Sequence, residues 1–142
     1  MPKVKFNYFN RKASPSPAFP ERKSLRSPII PITVMNGEKK ISVLAFVDSG
    51  ADNTVLSHKL CDLLDIRWET GKEETIRGVS GEPQKSYFHS IKIEVGGHVH
   101  DCYVGFMAGL SLQGGLLGQH CFFNHFKKVI FDHNAGEVEL VW

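Results

Sequence analysis

The stretch Leu44-Ala45-Phe46-Val47-Asp48-Ser49-Gly50-Ala51-Asp52-Asn53-Thr54-Val55-Leu56 decides how this chain is read. A strand of apolar residues carries an acid into a tight turn of small residues, and a second apolar strand leaves it. A carboxylate at the end of a buried strand is costly unless its charge is hydrogen-bonded or shared. Ser49, Gly50 and Ala51 leave the Asp48 carboxylate accessible and let backbone approach closely. A carboxylate on a constrained turn in apolar surroundings is a candidate acid or base. A plain β-turn also favours Asp and Gly. The apolar strands on both sides, with Gly78 and Leu116-Leu117-Gly118 downstream, tip the balance toward chemistry.

Outward from this loop the pattern is β. Ile30, Ile32 and Val34 alternate with Pro31 and Thr33, and Asn36-Gly37 then predicts a hairpin turn with both positions at positive φ. Ile41 to Val47 is the return strand. Ser57 is a candidate cap for a helix reaching about Asp65, with Leu60, Leu63 and Leu64 at helical spacing toward the core. Residues 73–95 read as a hairpin around Gly78-Val79-Ser80-Gly81-Glu82-Pro83, and Gly96-Gly97 turns into an alternating strand from His98 to Phe106. Leu116-Leu117-Gly118 leads toward a second short helix with Phe122, Phe123 and Phe126 on one side. A last hairpin turns around Asn134-Ala135-Gly136. The expectation is a mainly β fold of about seven strands, typical of compact all-β domains, with one or two short helices.

Composition fits that expectation. Of the 142 residues, 42% are hydrophobic and 23% charged, which excludes extended disorder, collagen and coiled coil as the main architecture. The net charge of +2 is no strong attraction for polyanions. It is unevenly spread, however: residues 1–27 hold seven Lys/Arg against Glu21, with Pro2, Pro15, Pro17 and Pro20. The expected division is a basic arm, 1–27, and a domain, 28–142. In the arm, Lys3, Lys5, Phe6, Tyr8, Phe9, Arg11 and Lys12 could touch nucleic acid. The plainer reading is a solvated arm, or an edge strand pairing through Val4, Phe6 and Tyr8. Cys61, Cys102 and Cys121 are widely spaced with no CxxC, which suits a reducing, cytoplasmic setting. No signal-peptide core opens the sequence, and the uncharged stretch from Cys102 to Phe126 is too polar for a membrane helix.

Taken together, Asp48-Ser49-Gly50-Ala51-Asp52-Asn53-Thr54-Val55-Leu56, the glycines of Gly78-Val79-Ser80-Gly81 and the Leu116-Leu117-Gly118 element resemble the retroviral-type aspartic proteases, the retropepsins. Their order and spacing agree over about 28–142. Pro28-Ile29-Ile30-Pro31 and Gly115-Leu116-Leu117-Gly118-Gln119 are most similar to the short, stand-alone prokaryotic members. The resemblance implies a single-lobe, acid-protease-like closed β barrel, active as a C2 homodimer on extended peptide, with no cofactor and no metal. Such an enzyme uses two carboxylates about 3 Å apart that share a proton. This chain has one Asp-Ser-Gly, so the resemblance implies a second Asp48 from another subunit.

The resemblance also implies roles. Asp48 is the catalytic acid, and Ser49 bonds across the dimer axis. Gly50 offers its carbonyl to substrate, and Asp52 and Asn53 bind substrate main chain. Gly78, Val79, Ser80 and Gly81 form a flap, while Leu116, with Leu117 and Gly118, belongs to the pocket. Ala51 has no hydroxyl to donate to the carboxylates, which predicts a working range nearer neutral than that of a strongly acidic enzyme. Gln119 and His120 stand where viral members carry Arg and Asp or Asn. The same fold without catalysis, as a dimerisation or peptide-binding module, is the alternative. Intact Asp48, Gly50 and flap glycines speak against it.

His98, His100 and Cys102 share a strand face in a zinc-like spacing, but no fourth ligand is evident and an exposed polar face is the better reading. No HExxH and no phosphate loop occur.

Overall fold

A computed structural model describes residues 2–78, 81–110 and 114–142. The flap residues Val79 and Ser80 lie outside the described residues. The elements in chain order are β1 (Lys3–Asn7), β2 (Phe9–Lys12), β3 (Ser24–Ser27), β4 (Ile29–Asn36), β5 (Lys39–Val47), β6 (Val55–Ser57) and α1 (Leu60–Leu63). They continue with β7 (Lys72–Ile76), β8 (Gln84–Val95), β9 (His98–Met107), β10 (Gly115–Leu117), β11 (Lys128–Asp132) and β12 (Glu137–Val141). Single turns of 3-10 helix occupy Trp68–Thr70 and Phe123–His125.

The main sheet runs β4-β5-β10-β6-β9-β8, and β4 pairs again with β8 through Val34↔Ile93. That second pairing closes six strands into a barrel, with β7 appended as an edge strand on β8. Closure removes the exposed edges that an open sheet would present. The barrel is filled by residues two apart on each strand, as strand alternation requires. Ile30, Ile32 and Val34 face Ile91, Ile93 and Val95, and Val104, Phe106, Leu56 and Leu117 complete the core. Burying one such side chain stabilises by about 1.5–3 kcal/mol. The mainly β architecture and the closed barrel are therefore as expected.

Three local expectations are corrected. The β4–β5 loop is Gly37-Glu38, one residue later than Asn36-Gly37, because Asn36 still pairs with Lys39. Gly37 alone takes positive φ there, at +59°, as in a type II′ turn. Asn36 instead donates its side-chain amide to the Leu64 carbonyl at 2.8 Å. Ser57 ends β6 rather than capping a helix, and α1 spans four residues. Leu60, Cys61 and Leu64 form the face turned to the barrel, and Leu63, off that face, is 59% exposed. Finally, Gly115-Leu116-Leu117 forms a strand where the sequence suggested only an approach to a helix. Three residues are too few to show a period.

Residues 3–7 pair with β12 in a three-stranded sheet, β1-β12-β11, while β2 and β3 form a hairpin of their own. Val4, Phe6 and Tyr8 pack against the core, and Phe9 is exposed.

Candidate active site

Asp48 leaves the end of β5 at the point where β10 has been threaded between β5 and β6. Leu116 and Leu117 pair in parallel with Phe46 and Val47, and Gly115 and Leu116 pair antiparallel with Leu56 and Val55. The loop 48–54 is thus the connection that steps over β10, and β10 fixes both of its ends. At the first end the Asp48 amide donates to the Leu117 carbonyl at 3.0 Å. At the far end the buried Thr54 hydroxyl donates to the His120 carbonyl at 3.0 Å and accepts the Gly118 amide at 3.1 Å.

Between those ends the loop is supported from below by the chain that follows β10. The Gln119 amide donates to the Ala51 carbonyl at 2.8 Å, and the His120 amide to the Asp52 carbonyl at 2.9 Å. Asn53 and His120 form an isolated parallel bridge. Gly118 passes so close beneath the loop that a Cβ there would collide with the carbonyl oxygens of Asn53 and Ala51. The Gln119 side chain donates to the Ser49 carbonyl at 2.8 Å. Gln119 is therefore a direct tie on the Asp48 loop.

The carboxylate itself is oriented locally. Its Oδ1 accepts the Gly50 amide at 2.9 Å, and the Ala51 amide closes the turn on the Asp48 carbonyl at 3.2 Å. A Cβ on Gly50 would sit 3.3 Å from Oδ1, so the small residue keeps the approach open. Among the described residues no ion pair engages Asp48; the four that occur lie elsewhere.

Asp48 faces a cleft of about 740 Å³ between this loop and the β7–β8 hairpin. Gly50, Ala51, Asp52 and Asn53 line its floor, and Leu116 adds an apolar wall. Gly78 and Gly81 stand at its far side with Ile76 and Glu82. The fold thus brings together most residues named from the sequence. Ser49 is exposed outside this lining. Leu117 alternates away from Leu116 into the core, and Gly118 lies beneath the loop instead of in the cleft.

Thr54 escaped the sequence reading as a positioning residue. A hydroxyl inside an otherwise apolar Thr54-Val55-Leu56 strand was the available signal, since a buried hydroxyl requires partners.

Residues 33–124 match a family model described as "gag-polyprotein putative aspartyl protease". The chain belongs to that family. The retropepsin-like aspartic protease from Rickettsia conorii is a similar solved structure, at 15% identity, TM-score 0.60 and 99% coverage of both chains. The retroviral protease-like domain of Ddi1 from Leishmania major is similar at 18% identity and TM-score 0.51, with 78% of this chain and 84% of that one covered. These likenesses support the retropepsin-like fold. No curated protein matches this chain by sequence.

Proposed function

We propose that this family member is an aspartic endopeptidase whose active site forms on the two-fold axis of a homodimer. The observation that carries the reading is the Asp48 carboxylate, oriented by the Gly50 amide and open to a cleft bounded by a β-hairpin. One copy of the loop supplies one carboxylate, and the chemistry needs two.

In the proposed dimer the two Asp48 side chains share one proton, because like charges at such short range cannot both ionise. The neutral carboxyl donates to the scissile carbonyl oxygen. The ionised one takes a proton from water as the water oxygen adds to the carbonyl carbon. The tetrahedral intermediate collapses when the amide nitrogen receives a proton and the C–N bond breaks. An extended peptide would lie between loop and hairpin, bound mainly through backbone hydrogen bonds, with Leu116 meeting a side chain. In this reading Ser49, which is exposed in the single chain, would hydrogen-bond to its symmetry mate across the axis.

The test compares wild type with Asp48→Asn on a mixed peptide library, read by mass spectrometry across roughly pH 4–8, where carboxylates and histidines titrate. Cleavage by wild type alone is expected. Equal cleavage by both proteins, or by neither at concentrations where the chain is dimeric, would overturn the reading. The second outcome would leave a peptide-binding module.

A further inference from the structure

A second cluster of reactive side chains sits away from the Asp48 cleft. Cys102 on β9 meets Cys121 and His125 from the segment after β10, and the two sulfurs and the imidazole nitrogen all lie within 4.8 Å of one another. Sequence spacing had grouped Cys102 with His98 and His100 instead. His98 stacks on Trp142 at 3.9 Å between ring centroids, while His100 lies beside the cluster, its ring stacked on His125 at 4.5 Å and its Nε2 accepting the Trp142 indole N–H at 3.1 Å.

We infer that Cys102, Cys121 and His125 bind one thiophilic divalent cation of the Zn²⁺ class, whose remaining coordination position opens to the adjoining cavity. Four features carry this. The first is donor chemistry: two thiols and an imidazole are the ligands that zinc selects over hard cations. The second is distance. With Zn–S of about 2.3 Å and Zn–N of about 2.0–2.1 Å, a tetrahedral ion separates its sulfur and nitrogen ligands by roughly 3.6 Å. Cys102 Sγ and His125 Nε2 stand 3.7 Å apart.

The third is the backbone. Cys121 takes a positive φ of 73°, a conformation a side chain of this type rarely adopts. There its amide is held by the Asn124 side chain at 3.0 Å, and its sulfur accepts the Tyr103 amide at 2.8 Å. The fourth is access. A cavity of about 590 Å³ is lined by Cys102, Cys121 and His125 together with Asp101, Asn124 and His120, so a water or an exogenous ligand can complete the shell.

The two thiols already sit in one bonded cluster: the Cys102 thiol donates to the Cys121 backbone carbonyl at 3.2 Å. Binding a cation would deprotonate both and release protons. The ion would tie β9 to a segment that begins with Gln119 and His120, the residues supporting the Asp48 loop.

The test is a Co²⁺ titration of the reduced, full-length protein in a non-thiol reductant, followed by displacement with Zn²⁺. One equivalent is expected, with a thiolate-to-metal charge-transfer band and the intense visible bands of a tetrahedral site. His125→Ala should weaken binding by more than the about 10–100-fold that loss of an outer-shell partner costs. Cys121→Ser should weaken binding and reduce the charge-transfer band, since one of the two thiolates is lost, with Cys102 leaving a residual band. Cys61→Ala is the control: that thiol is buried elsewhere and pushed up to about 11 by desolvation and then Asp62, and binding should persist. The wild-type titration reads the claim without any variant. A folded, reduced wild type that shows no charge-transfer band overturns it. So does a band that keeps its full intensity and affinity in Cys121→Ser, or a protein that forms a Cys102–Cys121 disulfide yet binds no metal once reduced.

Discussion

The floor and the flap of the cleft are built on opposite principles. The Asp48 loop is tied at nearly every residue to β10 and the chain after it, through the Asp48, Ala51, Asp52 and Thr54 bonds and the Gln119 side chain. Among the described residues the β7 strand pairs with β8 alone, with Lys72, Glu73, Glu74 and Thr75 all exposed. Its Glu73–Lys85 ion pair, at 3.7 Å and more than half exposed on both sides, adds little. The difference teaches how such a cleft divides its labour. In the proposed enzyme a catalytic carboxylate would need preorganisation, which dense support supplies. A covering hairpin would have to let a peptide enter, and locally sparse contacts permit opening at low free-energy cost.

Gly118→Ala should break the comparison most severely. The new Cβ would meet backbone oxygens that cannot swing aside, and overpacking of this kind costs about 1–3 kcal/mol. Urea denaturation should show the lost stability, and peptide cleavage should fall with it. A variant as stable and active as wild type would mean that the floor yields more readily than its bonding suggests.

Thr54→Val comes next. It keeps the shape but strands the Gly118 N–H and the His120 carbonyl, and one buried group left unsatisfied costs about 1–3 kcal/mol. The denaturation midpoint should drop without a change in slope.

The smallest effect on stability belongs to the flap. A Cβ at Gly78 meets nothing within 4 Å, and its φ is not in the left-handed region. Gly78→Ala should therefore shift stability by no more than about 0.5 kcal/mol. Its signature should appear in KM and kcat, because a stiffer hairpin changes how the substrate is covered. A large stability loss would show that the flap is anchored like the floor.

Much of the floor was legible in the chain because its determinants are local. An acid after Ala45-Phe46-Val47, a turn of small residues and a renewed apolar strand lie within thirteen consecutive positions. Alternation likewise placed Ile30, Ile32 and Val34 in the core. The misses share a different cause. Leu63 obeys helical spacing, yet the buried face is set by Leu60, Cys61 and Leu64 and leaves it outside. The turn slipped by one residue because Asn36 found a partner in Leu64, 28 residues away. Thr54 and Gln119 owe their roles to residues about 65–70 positions distant, and such pairings are set by topology, not by period. The same holds for Cys102, Cys121 and His125, whose meeting depends on where β9 lies relative to the chain after β10.

The central claim is that two chains share one catalytic pair, and subunit mixing tests it most directly. Wild type and Asp48→Asn, each folded, are co-refolded at defined ratios with total protein held constant, and the initial rate of peptide cleavage is measured. A site that needs Asp48 from both subunits predicts a rate that follows the square of the wild-type fraction, because mixed dimers are silent. A rate that falls in simple proportion to the wild-type fraction would show that one Asp48 suffices and would contradict the account.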